Sequence, residues 1–209
     1  MTKITERGMI FNGETVRALL DGRKTQTRRQ VKFPVIDKNM GCELAGNELA
    51  GELATGNYWN SPFGKPGDRI WVRETWAEAG AGAPELKLYR ANYPAHVPPH
   101  YENVPPAEEI RWTPSIHMPR WASRILLEIT DVRVERLHSI SQADAIAEGA
   151  PPSHPSIDVV SRQFGYPDFS RSWFGQTWQS IYGDDSWQAN PWVWVIEFKR
   201  IEGDDHATD

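Results

Sequence analysis

Residues 124–137 (RILLEITDVRVERL) carry the strongest strand signal in the chain. Aliphatic and β-branched residues alternate with charged ones, and a bend is expected near Thr130-Asp131. The closing segment PWVWVIEFKR is a second strand, and its unbroken apolar run predicts burial on both faces. These two commit the chain to a sheet. Shorter strand signals lie at Ile70 and Val72, after the turn Pro66-Gly67-Asp68, and at Leu86–Arg90. Helical spacing of Val16, Leu19 and Leu20 predicts a helix over 13–22 that stops at Gly22. SISQADAIAEG predicts another, with Ser139 or Ser141 as N-cap and Gly149 past its end. Ser172–Tyr182 predicts a third, with Trp178, Ile181 and Phe174 facing inward.

Between these elements, residues 37–66 and 150–170 read as Gly-, Ala-, Ser- and Pro-rich loops, and residues 92–115 hold six prolines. There is no repeat and no βαβ regularity. The expectation is one α+β domain over residues 1–201, a small mixed or barrel-like sheet with short helices. Loop insertions fall near 37–60, 78–110 and 150–170, long enough to act as lids or pocket walls. Residues 202–209 form an acidic tail expected to be frayed.

Composition narrows the function. At 209 residues the chain can bury roughly 70 % of its unfolded surface, so it needs no disulfide or structural metal to fold. Its single cysteine, Cys42, rules out multi-cysteine zinc motifs, and prolines keep His96 and His100 off a common helix. No apolar run approaches the about 18 residues a membrane span needs, and the N-terminus lacks a signal-peptide pattern. A cytoplasmic protein without membrane, metal or cofactor is expected. The net charge of −5 gives no global field for nucleic acid, but cations cluster locally at Arg17, Arg23, Lys24, Arg28, Arg29 and Lys32. Ten tryptophans offer flat apolar faces, although Trp173, Trp178, Trp192 and Trp194 sit at core spacing.

The segment GRKTQTRR is the chemically richest. If it is extended, Arg23, Thr25 and Thr27 share one face and Lys24, Gln26 and Arg28 the other; a turn would let Lys24 meet Thr27. A lysine crowded by arginines and desolvated loses its proton more easily, which makes it usable as a base or nucleophile. Glu74, at the end of the GDRIWVRETW strand, is the second carboxylate of interest. It has Arg73 or Arg28 as candidate ion-pair partners and Trp76 as a neighbour for stacking a base whose amine it could accept. Arg120 and Trp121, after Pro119, offer a phosphate-binding cation and an opposite pocket wall.

FNGETVRALLDGRKTQTRR, GDRIWVRETW, RILLEITDVRVERLHSISQADAIAEG and the closing WVWVIEFKR together resemble the ASCH-domain family of PUA-like barrels. The chain is similar in particular to the large members encoded in phages and prophages, and the likeness leaves out the inserted loops. The resemblance implies an association with RNA or modified nucleobases. One branch of the family removes the acetyl group from N4-acetylcytidine. Its Lys, Thr and Glu correspond here to Lys24, Thr27 and Glu148, and Arg29 matches the arginine that ends the motif. Implied roles are Thr27 as nucleophile, Lys24 as its base, and Glu148 orienting the lysine or protonating the leaving amine. Beside them, Arg28, Arg29, Glu74, Trp76, Arg120 and Trp121 are the residues expected to bind substrate. The chain is about twice the size of those small amidohydrolases. Alternatives of other classes are a non-catalytic reader of single-stranded RNA or a modified base, and a metal-independent ribonuclease.

Overall fold

The computed structural model describes residues 3–153, 155–165 and 168–201. The tail expected over 202–209 lies outside them. The fold is α+β. Its main sheet is mixed, with strands ordered β1 (Glu6–Ile10), β5 (Arg69–Arg73), β8 (Leu126–Arg136), β9 (Trp192–Ile201) and β2 (Gln26–Gln30). β1 and β5 are parallel; β5–β8 and β2–β9 are antiparallel. The chain divides into two compact units, one of residues 3–22, 69–128 and 200–201, the other of residues 23–68 and 129–199.

In the first unit, Asn12 caps α1 (Gly13–Leu20) by accepting from the Thr15 amide at 2.8 Å. Val16 and Leu19 bury its inner face. Ile70 and Val72 of β5 are buried while Arg69, Trp71 and Arg73 are half-buried, the period-2 pattern of a strand with one face inward. The hairpin β6 (Trp76–Glu78) and β7 (Lys87–Tyr89) pairs Trp76 with Tyr89, and Trp76 and Tyr89 bury against Met118 and Ala122.

In the second unit, Leu137, Ile140, Ala145, Phe174, Trp178, Val193 and Val195 form one core. α3 (Gln142–Ala147) starts at Ser141, whose hydroxyl accepts from the Asp144 amide at 3.0 Å, and Gly149 follows at φ 101°, a conformation glycine adopts without strain. The interior of β9 is buried on both faces: Val193, Trp194, Val195 and Ile196 are all inside.

β8 crosses from one unit into the other, and its buried positions change phase on the way. Leu127 and Ile129 are buried, then Val132 and Val134. Strict alternation would have buried 131 and 133, so one extra residue enters at Thr130-Asp131, where the bend was expected.

Three sequence expectations are corrected. Residues 37–66 are not an irregular excursion: they contain β4 (Glu43–Leu44), paired with β3 (Val35–Ile36) just before them, then α2 (Gly46–Ala54). Leu49 and Leu53, four apart, anchor α2, while its two glycines mask the helical signal. Residues 150–170 hold α4 (Pro155–Phe164), which begins on a proline, a position where the missing amide costs nothing. In α5 (Phe169–Tyr182), Phe174 and Trp178 are buried, but Ile181 is 54 % exposed. Ile181 is three residues beyond Trp178, past the point where the helix leaves the core. No helix among the described residues is long and apolar enough to cross a membrane.

Candidate functional site: a buried Lys24–Glu148 pair

Lys24 stands between α1 and β2, where its backbone forms an isolated antiparallel bridge with Glu148 at the end of α3. The neighbouring Thr25 amide donates to the Ala147 carbonyl at 2.8 Å, which fixes the segment against that helix end. The Lys24 ammonium donates to Glu148 Oε2 and to the Glu148 carbonyl, both at 2.8 Å. Lys24 and Glu148 are each only 7 % exposed.

Arg28, with its side chain wholly buried, takes the other oxygen of the same carboxylate: Nη1 reaches Glu148 Oε1 at 3.1 Å. Its second nitrogen donates to Glu135 Oε1 at 2.6 Å and lies 3.6 Å from Asp144 Oδ2, and its guanidinium sits 5.8 Å from the centre of the Phe174 ring. Lys24 and Arg28 therefore occupy one face, as the extended reading of GRKTQTRR requires. Around them Arg133 ties Asp131, Glu135, Asp144 and Glu197 together.

Burial pushes the Lys24 ammonium below the usual lysine range; Glu148 opposes that shift, and Arg29 and Arg28 add to it. Burial acts to raise the Asp144 carboxyl, but hydrogen bonds from Ser141 and the charge of Arg28 outweigh it and hold Asp144 below the usual carboxylate range. The result is a buried ammonium–carboxylate pair whose carboxylate is also held by a guanidinium.

Thr27 is buried in β2, opposite Ile196. Among the described residues no hydrogen bond joins its hydroxyl to Lys24 or Glu148. Arg29 is half-buried and pairs across the sheet with Trp194.

The remaining candidates belong to the first unit. Glu74 is 2 % exposed, and its partner is neither Arg73 nor Arg28: Arg124 grips it through Nε at 2.9 Å and Nη2 at 3.0 Å. Trp76 is buried and meets Trp121 edge-on at 5.3 Å; Trp121 is 50 % exposed. Arg120 donates to Glu6 at 2.9 Å.

Sequence reasoning missed Glu135, Asp144, Arg133 and Arg124. The alternation DVRVER in β8 places Asp131, Arg133 and Glu135 on one face and was a usable signal for three charges meeting there. The pattern Ser141-x-x-Asp144 was legible as a helix cap. Arg124 had no local signal, because its partner lies 50 residues away.

No family model matches the chain, and no curated protein matches it. Two solved structures are similar. One is the crystal structure of a protein from Enterococcus faecalis V583 assigned to the family model DUF984, at 10 % identity over 100 % of this chain and 87 % of that one, with a TM-score of 0.40. The other is the crystal structure of an ASCH domain from Lactobacillus crispatus JV V101, at 11 % identity over 94 % and 79 % of the two chains, with a TM-score of 0.37. Likeness at this level carries no argument about function.

Proposed function

We propose that the protein is an amidohydrolase that removes an acyl group from the exocyclic amine of a modified nucleoside or nucleobase, of the N4-acylcytidine type. The observation that carries this reading is the buried Lys24–Glu148 pair, at the positions the motif resemblance assigns to base and carboxylate. A lysine whose charged form is disfavoured by burial gives up its proton more readily than a solvated one.

In the proposed reaction the Thr27 hydroxyl, not hydrogen-bonded to Lys24 beforehand, attacks the acyl carbon once substrate brings it to Lys24 Nζ, which takes its proton. The resulting oxyanion is stabilised by backbone amides or by Arg29. The C–N bond then breaks, and the departing amine takes a proton from Lys24, which Glu148 holds in place. Water, deprotonated by Lys24, attacks the Thr27 ester, releases the carboxylic acid and restores the hydroxyl. Arg28 is a positioning residue: it binds the carboxylate oxygen that Lys24 leaves free.

Intact-protein and peptide mass spectrometry after quenching with an N4-acylcytidine tests the nucleophile. The expected product is a single acyl group on the peptide containing Thr27, absent in Thr27→Ala. Full turnover by Thr27→Ala would remove the threonine from the mechanism.

A second reading, a reader of RNA or a modified base, is favoured by Trp121. Its half-exposed ring, braced by Trp76 with Lys87 Nζ 5.6 Å from its centre, is a surface on which a base could stack. Oligonucleotide binding that survives Thr27→Ala but not Trp121→Ala would support that role.

A further inference from the structure

The first unit contains a cavity of about 450 Å³, lined by Phe11, Asn12, Arg17, Glu74, Arg90 and Ala91 among others. Its polar groups are of two kinds. Glu74 is almost fully buried, and each of its oxygens accepts one hydrogen bond from Arg124, which leaves each a free lone pair. Arg124 is itself held by Asn92 Oδ1 at 2.9 Å and lies over the Tyr89 ring at 4.0 Å, so the carboxylate is rigid before any ligand arrives.

Arg17 and Arg90 are the second kind. Both are exposed, and Arg17 spends one donor on the neutral Ala91 carbonyl at 2.8 Å. Neither has a carboxylate partner among the described residues. Because Arg124 neutralises Glu74, the cavity carries two uncompensated guanidiniums.

We infer that this cavity binds a nucleoside 5′-phosphate whose base bears an exocyclic amine, with the amine donating to Glu74 and the phosphate held by Arg17 and Arg90. A fixed acceptor at a buried position selects an N–H donor, because a ligand without one leaves the desolvated carboxylate unmatched. Guanidinium forks suit phosphate oxygens, and Phe11 with Ala91 gives the base an apolar wall. The volume lies in the range that encloses a small ligand. This site goes beyond the Lys24–Glu148 reading and does not depend on it.

Calorimetric titration of the intact protein with cytidine, adenosine and uridine 5′-monophosphates and with inorganic phosphate tests the inference. Cytidine and adenosine monophosphates should bind about tenfold or more tightly than the uridine compound, and affinity should fall with added salt. The Arg17→Ala/Arg90→Ala double variant, altered only at exposed side chains, should lose about tenfold or more in affinity. Absence of binding by every nucleotide, or binding unchanged in the double variant, overturns the site. Inorganic phosphate binding as tightly as the nucleotides overturns the role of Glu74. No deacylation by wild type, with nucleotide binding intact, would count against the Lys24 mechanism alone.

Discussion

Glu148 serves two buried cations with one carboxylate: Lys24 on Oε2, Arg28 on Oε1. Removing it strands the Lys24 ammonium in a low-dielectric interior and leaves Arg28 with Glu135 and Asp144, a change that typically costs about 3–5 kcal/mol. Glu148→Ala should therefore lower the urea midpoint by that equivalent, and a loss under about 1 kcal/mol would mean that water reaches the pair. The exposed Arg120–Glu6 pair is the control at the same scale. Its side chains are 41 % and 34 % exposed, so Arg120→Ala should change stability by less than about 1 kcal/mol. Part of this was legible. Alternation in GRKTQTRR placed Lys24 and Arg28 on one face from local sequence alone. That their common partner is Glu148, 124 and 120 residues away, could only be reached through the motif resemblance. Arg124 gripping Glu74 could not be read at all, because no spacing rule connects residues brought together by the packing of distant segments.

Among the elements, α2 shows why a helix can hide from its sequence. Its N-cap position is Ala45, which has extended backbone but no side-chain acceptor; only Glu48 reaches back, to the Ala45 amide at 2.8 Å. Ala45→Ser should complete the cap and raise stability by about 0.5–2 kcal/mol in chemical denaturation, and no gain would show that the first turn is already satisfied. Gly46 is required for a different reason. A Cβ there would lie 2.3 Å from Trp192 Nε1, so Gly46→Ala must push the indole aside and should cost about 1–3 kcal/mol. Strand elements were easier to recognise. β8 and β9 announce themselves by alternation and by an unbroken apolar run, whereas β1 and β6, of five and three residues, are too short for a period to emerge. The phase change in β8 was visible because Thr130-Asp131 interrupts an otherwise regular apolar series.

For the whole molecule, the titrating groups predict how stability varies with pH. The folded pKa of Lys24 lies below its ordinary 10.5, so between the two values the unfolded chain binds the extra proton, and stability rises with pH. Tyr89 works the other way: burial raises its hydroxyl from 10.0 to about 12, so its contribution falls as pH climbs above 10. Asp144, held below 3.8, contributes stability that is lost as pH drops beneath that value. Denaturation midpoints for wild type should therefore rise as pH approaches the ordinary lysine value of 10.5 from below, with a shallower rise in Lys24→Met. Equal slopes in the two proteins would mean that Lys24 is not perturbed by folding.

The proposed reaction requires Lys24 to act as a base rather than as a purely structural charge. The direct measurement is chromatographic turnover of a panel of N4-acylated cytidines and their nucleotides by wild type and Lys24→Ala, with folding of both checked by circular dichroism. The account predicts release of the free amine and the carboxylic acid by wild type and none above background by the folded variant. Turnover by Lys24→Ala at the wild-type rate, or no hydrolysis of any acylated cytidine by wild type, would contradict it.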